Sequence, residues 1–261
     1  VGVASVIHWQ AEAIWEAISP SIPDFSVEIV PELDSTNSEL MRRARVGRTE
    51  PILLITERQT AGRGRLGREW ISEQSATSLT FSLGLPIAPA NWSGLSLAVG
   101  LSIVESLHPA LQLKWPNDVW FQQRKVAGIL METVAMNAAM SSTMKYLVIG
   151  VGINLVPRSN EGLRTPSAGL SEVLPNVDAP KALLCIVPPL VEMVQQFVPQ
   201  GFAPWQSAYH ARDCLCNESV VCSDGTEGIA QGVDADGVLW IRTSVGLKPI
   251  HSAEVSVKPL R

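Results

Sequence analysis

Runs of helical spacing and runs of alternation follow one another along the chain and define most of its elements. Trp9–Ser19 reads as a short helix that Pro20 to Pro23 ends, and Phe25–Val30 alternates as a strand does. Thr36-Asn37-Ser38-Glu39 fits a capping box, with Thr36 as N-cap and Glu39 at the third helical position. The helix that follows runs to about Arg45 and stops at Gly47. Ile52–Thr56 is a short apolar run of the kind a buried strand makes, and Ser78–Leu85 is another strand. Leu95–Leu107 returns to helical spacing.

Leu111–Trp115 reads as a strand that Pro116-Asn117-Asp118 turns. Val119–Phe121 and Lys125–Val134 form the arms of a hairpin around Gln122-Gln123-Arg124. The small and polar run Ala135–Met144 is expected to be a loop, and Tyr146–Leu155 a strand. Ala182–Val198 has helical spacing, with Pro188 and Pro189 expected to start or kink it. Beyond about Arg212 the character changes. Short β runs at Ser219–Cys222, Glu227–Val233, Val238–Ile241 and Val255–Val257 are punctuated by Gly225, Asp236-Gly237 and Gly246. The pattern therefore predicts an α+β domain over residues 1–211 and a small all-β module over 212–261, with no repeat and no long linker.

Composition narrows the class. The 261 residues are 46% hydrophobic, enough for one sizeable core or a large domain with a small one, and the net charge of −5 makes nucleic acid an unpromising partner. Cys185, Cys214, Cys216 and Cys222 form no Cys-x-x-Cys pair and have no histidine pair nearby, so neither a zinc site nor a disulfide framework is indicated. Cys214 and Cys216 are expected to be small buried residues of a strand, in a reduced, cytoplasmic protein. The N-terminus shows no basic-then-apolar leader, and polar or proline residues interrupt the apolar stretches Gly94–Leu107 and Ala182–Val198, so no membrane partner is expected.

The candidate chemistry centres on Gln59-Thr-Ala-Gly-Arg-Gly-Arg-Leu-Gly-Arg-Glu-Trp70. Three glycines let a backbone close on a ligand, three arginines match phosphate, and the tryptophan offers a flat face for a base. Gly62, Gly64 and Gly67 match the dinucleotide-binding spacing in letters only. Arg68–Gln74 has no apolar helical stripe, and no acidic residue lies between Gln74 and Ser93. Around this run stand Asp34-Ser-Thr-Asn37 at a helix start, where capping alone is the plainer explanation, and Lys114-Trp-Pro-Asn-Asp118 at a strand end. Lys125 and Gly128 lie on the hairpin, and Gly150-Val-Gly-Ile-Asn154 ends another strand. No histidine falls in these clusters, so positioning and charge stabilisation are favoured over histidine-driven catalysis.

In order, these segments resemble the biotin–protein ligases, through Asp34–Asn37, Gln59–Arg65 with Trp70, Lys114–Asp118, Arg124-Lys-Val-Ala-Gly-Ile-Leu130 with Glu132, and Gly150–Asn154. The resemblance implies a mixed β-sheet with packed helices, of the class II aminoacyl-tRNA-synthetase-like kind, and a C-terminal SH3-like barrel. By pattern, the residues before Asp34 hold only a helix and a strand, so the resemblance is to the monofunctional type, without an N-terminal DNA-binding domain and with no DNA partner.

The activity implied has two steps. ATP and biotin give biotinyl-5′-AMP, and a lysine of the biotin carboxyl carrier protein of acetyl-CoA carboxylase then takes the biotinyl group. ATP with Mg2+ is a co-substrate, and no prosthetic group or protein-held metal is implied. Carried onto this chain, Lys125, Arg63 and Arg65 are the catalytic residues. Ser35, Thr36, Asn37, Gln59, Gly64 and Gly128, with those three, form the biotin site. Arg68, Trp70, Lys114, Asn117, Asp118 and Asn154, again with Lys125, Arg63 and Arg65, bind ATP and the adenylate. Some members of the family pair through their sheets, so a homodimer is compatible with the resemblance. Lipoate–protein ligases and octanoyltransferases share the fold but differ in the glycine-arginine run and lack Lys-Trp-Pro-Asn-Asp. A non-catalytic biotin binder would have no use for Lys125, Arg63 and Arg65 together.

Overall fold

In a computed structural model, which describes residues 7–72, 77–136, 143–159, 165–251 and 257–260, the alternating runs assemble into two sheets. The first contains β1 (Ser26–Leu33), β2 (Ile52–Gln59), β3 (Ser78–Ile87), β4 (Gln112–Lys114), β5 (Asp118–Phe121), β6 (Arg124–Ala135) and β7 (Lys145–Asn154). Its order is β1-β2-β3-β7-β6-β5-β4, with β1 parallel to β2 and the other neighbours antiparallel. The helices are α1 (Ala11–Ile18), α2 (Thr36–Arg45), α3 (Leu95–Leu107), α4 (Ala179–Gln200) and α5 (Gln206–His210). The second sheet is antiparallel and joins β8 (Ser219–Cys222), β9 (Glu227–Val233), β10 (Leu239–Thr243), β11 (Gly246–Ile250) and β12 (Val257–Pro259) in the order β11-β10-β9-β8-β12.

The period-two rule explains where the ligand space lies. On β3, Leu79, Phe81, Leu83 and Leu85 join the main core, to which α1, α3 and α4 also contribute. Each such fully buried side chain is worth roughly 1.5–3 kcal/mol. The intervening Thr80, Ser82 and Gly84 take the other face. β7 repeats the pattern, with Leu147, Ile149, Val151 and Ile153 in the core and Tyr146, Val148, Gly150, Gly152 and Asn154 opposite. One end of that second face is filled by Leu40, Met41 and Ala44 of α2 against Leu54, Tyr146 and Val148. The remainder carries only small or polar side chains, so no hydrophobic core fills it.

Several boundaries differ from expectation. The N-cap of α2 is Ser35, not Thr36: Ser35 Oγ accepts from Ser38 N (3.3 Å), while the Thr36 N–H is taken by Gln59 Oε1 (2.8 Å). With Ser35 as N-cap the third helical position falls on Ser38, so Glu39 is out of register for a capping box and pairs with Arg42 and Arg43 instead. Neither Pro188 nor Pro189 starts α4. Asp178 caps it, accepting from Lys181 N at 2.9 Å, and the helix runs through both prolines. The carbonyls they leave without a donor, of Leu184 and Cys185, belong to half-buried and exposed residues, where water can serve them. Among the described residues α4 is also long and apolar enough to cross a bilayer, but its stripe from Ala182 to Phe197 is buried in the core.

The hairpin turn is Gln122-Gln123 alone, both at positive φ (47° and 60°), and Arg124 already pairs with Phe121. Cys214 and Cys216 are half-buried free thiols in a bend, not strand residues. β11 was not expected: Gly246-Leu-Lys-Pro-Ile250 does not alternate, and its place at the sheet edge is the place where proline is tolerated. Most of the Ala135–Met144 run lies outside the described residues, as do Val255 and Ser256 of the last expected strand, while Ala135 itself ends β6.

The two sheets meet at the edge strand β4. Leu113 pairs in parallel with Asp213, and Trp115 Nε1 donates to Gly237 O (3.1 Å). At this seam Asp213 Oδ1 accepts from Leu215 N (2.9 Å), but Oδ2 is buried with no partner among the described residues, and burial pushes the carboxyl up to about 6. An acid raised on folding favours the folded state while protonated and disfavours it as pH climbs past the unfolded value towards and beyond 6. Asp213→Asn is therefore expected to stabilise the protein at pH 7.5 by about 2 kcal/mol, and not at pH 4. Thermal melts of both proteins at the two pH values check this, and an equal shift at both would contradict it.

Candidate active site

The uncovered face of the first sheet is the floor of a cavity of about 860 Å³. Every site residue proposed from sequence lines it except Asn154, which lines an adjoining cavity of about 780 Å³ that also touches Trp70, Asp118 and Lys125. Positions along β7 give the site its axis, because alternate residues on a strand are about 7 Å apart. Asn37 stands over Gly150, Trp70 over Gly152, and Asn154 follows. Gly128 of β6 pairs with Gly152, which brings Lys125 to the same level.

At the Gly150 level the groups are neutral and polar. Gln59 Oε1 accepts from the Thr36 amide (2.8 Å) and hydroxyl (3.2 Å), which fixes the side-chain amide and turns Nε2 towards Gly62. Ser82 Oγ lies 2.7 Å from Thr36 Oγ1 and 2.6 Å from Asn37 Oδ1. Asn37 Nδ2 donates to Leu130 O (3.2 Å) and Glu132 Oε2 (3.0 Å), so Asn37 lines the cavity with its amide already bonded to protein. A Cβ on residue 150 would fall 2.0 Å from Asn37 Oδ1, which is why β7 carries glycine there. Asp34 turns outward to Arg42 (2.6 Å), which holds its carboxyl below the usual range.

At the Gly152 level the charge changes. Trp70 lies on the paired glycines, and a Cβ on residue 152 would be 2.3 Å from its ring. Lys125 Nζ pairs with Asp118 Oδ1 at 2.7 Å and sits 5.9 Å from the centre of the Trp70 ring. Asp118 thus serves Lys125 rather than Lys114, whose residue is only 8% exposed and whose ammonium lies 5.0 Å from the Trp120 ring centre. Burial pulls the Lys114 ammonium below the usual lysine range, with Asp118 opposing. The glycine-arginine segment folds over this level: Gly64 N donates to Arg68 O (2.7 Å), Trp70 N to Gly62 O (2.9 Å), and the backbones of Arg63 and Glu69 pair as an isolated antiparallel β-bridge. From it Arg65 donates to Asn117 Oδ1 (3.2 Å), and Asn117 Nδ2 is held by Ile129 O (2.7 Å). Burial shifts the Arg65 guanidinium down from its ordinary value, with Asp118 opposing.

At the far end Asn154, 3% exposed, donates Nδ2 to Lys125 O (3.2 Å) and Ser167 Oγ (3.1 Å). Its Oδ1 is buried and, among the described residues, has no hydrogen-bond partner, and Asn154 lines the adjoining cavity together with Trp70. Sequence reasoning assigned no role to Ser82, Arg158, Ser167, Val257 or Lys258, which also line the two cavities or bond to residues that do. Val257 and Lys258 come from β12 of the second sheet, so the C-terminal unit closes part of the site. Among the described residues no group of three His, Cys, Asp or Glu is placed to hold a metal ion.

Known proteins resemble this chain in sequence and in fold. Residues 31–154 fit the model of the biotin/lipoate A/B protein ligase family, and residues 223–258 that of the biotin protein ligase C terminal domain. The chain is 33% identical over 248 residues to a bifunctional ligase/repressor of Escherichia coli, covering 89% of this chain and 74% of the relative. It is 32% identical over 239 residues to the biotin–[acetyl-CoA-carboxylase] ligase of Paracoccus denitrificans, covering 85% and 96%. Among solved structures, the biotin protein ligase of Aquifex aeolicus in complex with biotin and ATP superimposes with a TM-score of 0.75 at 30% identity, over 90% of this chain and 99% of that one.

Proposed function

The chain belongs to the biotin protein ligase family, and from that premise we propose that it activates biotin with ATP as biotinyl-5′-AMP and transfers the biotinyl group to a lysine of the biotin carboxyl carrier protein of acetyl-CoA carboxylase. The observation that carries this reading is the order of groups along β7, neutral and polar at Gly150, cationic at Gly152, with an unpartnered acceptor at Asn154 among the described residues. Biotin has a neutral ureido ring at one end and a carboxylate at the other, and the adenylate adds a phosphate and a base in line.

In the first step a biotin carboxylate oxygen attacks the α-phosphorus of Mg-ATP, the bond to the bridging oxygen breaks, and pyrophosphate leaves. Ser35, Thr36 and Gln59 bind the ureido ring, framed by Asn37, and the backbone at Gly128, which pairs with Gly152, meets biotin further along, towards its carboxylate. Lys125, held by Asp118, lies where carboxylate and α-phosphate meet and offsets their repulsion. Arg63, Gly64 and Arg65 close over the acid and phosphates, Arg68 and Lys114 add positive potential, and Asn117 positions Arg65. Trp70 covers the base, and Asn154 Oδ1 accepts from the adenine amino group. Magnesium travels on the substrate phosphates, as it commonly does. In the second step the neutral amine of the acceptor lysine attacks the anhydride carbonyl, AMP leaves, and the amine gives up a proton.

The polar end argues for biotin over lipoate within the same family. A hydrocarbon or dithiolane ring offers no partner to the capacity that remains there, the Ser35 hydroxyl and Gln59 Nε2, beyond the bonds already made to Ser38 and Thr36, at about 1–3 kcal/mol for each group truly buried. Incubating the full chain with Mg-ATP, biotin and an apo carrier domain is expected to biotinylate one lysine of that domain, located by peptide mass spectrometry. Modification by lipoate in place of biotin, or no modification, would overturn the assignment.

A further inference from the structure

Glu132 resembles a family position by sequence but has no part in the steps above. It shares a face of β6 with Gly128 and Leu130, so its carboxylate stands at the rim of the biotin end. One oxygen, Oε2, accepts from two different segments: Asn37 Nδ2 of α2 at 3.0 Å and Arg63 Nη2 of the glycine-arginine segment at 2.6 Å. Glu132 is 24% exposed by side chain and Arg63 45%. The pair therefore sits at the boundary of the cavity, where a charge-assisted bond is stronger than in open water. Arg63 is committed to Glu132 through Nη2 alone. Among the described residues its Nε and Nη1 make no hydrogen bond, and Arg63 lines the cavity. Asn37 is fixed from its other side by Ser82 (2.6 Å). The carboxylate is thus a joint between the ring-binding end and the segment that closes over it.

Resting on the proposed function, we propose that Glu132 is a positioning residue for biotin: it holds one corner of Arg63 so that the remaining guanidinium N–H groups face bound biotin in the cavity, and so couples occupation of the ring site to closure of the segment. It touches neither substrate itself. Orientation by a carboxylate removes entropy that Arg63 would otherwise lose on binding.

Glu132→Gln keeps size and the bond to Asn37 while removing the charge that holds Arg63. The expected result by titration calorimetry is a biotin dissociation constant raised about tenfold, as for loss of one charge-assisted contact, with the KM for ATP nearly unchanged. Because Glu132 acts through Arg63, adding Glu132→Gln to Arg63→Ala is expected to change the biotin constant by less than about twofold. A merely structural role would make the two effects multiply, and that result overturns the proposal. So does Glu132→Gln binding biotin as the unaltered chain does. An unaltered chain that binds no biotin overturns the functional reading as well, which distinguishes the two failures.

Discussion

Replacing Lys125 with alanine is expected to lower the rate of biotinyl-adenylate formation by about a hundred- to a thousandfold, in line with the loss of one preorganised donor at a developing charge. The reaction brings a carboxylate against a polyphosphate, so its barrier is largely electrostatic. Lys125 is fixed at the level of Gly152 by Asp118 (2.7 Å), and its backbone is clamped by Pro166 and Ala168 (2.8 and 2.9 Å). No reorganisation is needed at the moment of reaction. Biotin affinity should fall much less than the rate, because the ring end at Gly150 is untouched. Rapid-quench measurement of adenylate formation at saturating substrates, beside biotin titration, checks both halves. A fall confined to affinity would remove Lys125 from the chemistry.

Replacing Arg65 with glycine is expected to let the adenylate escape. Arg65 ties the glycine-arginine segment to the turn after β4 through Asn117, and its half-buried guanidinium lines the cavity. Its loss removes a charge-assisted contact of about 1.5–3 kcal/mol, which is roughly ten- to a hundredfold in dissociation. The added glycine also loosens a segment that already has Gly64 and Gly67. Free biotinyl-AMP acylates lysines without selection. The variant should therefore biotinylate an unrelated protein present in the same tube, whereas the unaltered chain labels the carrier domain. Unchanged selectivity would show that the segment does not retain the intermediate.

How much of this was legible in the sequence depended on whether a residue's role is local. The period-two pattern of Ser78–Leu85 and Tyr146–Leu155 already separates a core face from a face of small residues, and that face became the cavity floor. The glycine-arginine segment and Lys125 were visible because their chemistry is unusual in a plain turn. Tertiary partners decided the rest. Ser35 and Thr36 can both cap a helix, and only the bond from Thr36 to Gln59 settles which one does. Pro188 and Pro189 argue against a helix interior, yet the apolar stripe from Ala182 to Phe197 holds α4 together around them. Gln122-Gln123 carries no turn signal at all. Val257 and Lys258 look like the end of an ordinary strand until the second sheet brings them to the site.

The central claim is that this cavity adenylates biotin and no related acid, and pyrophosphate release from Mg-ATP by the purified chain tests it most directly. Biotin is expected to trigger stoichiometric release without any acceptor, and lipoate and octanoate none. Release with lipoate or octanoate but not with biotin, or with no acid at all, would contradict the account.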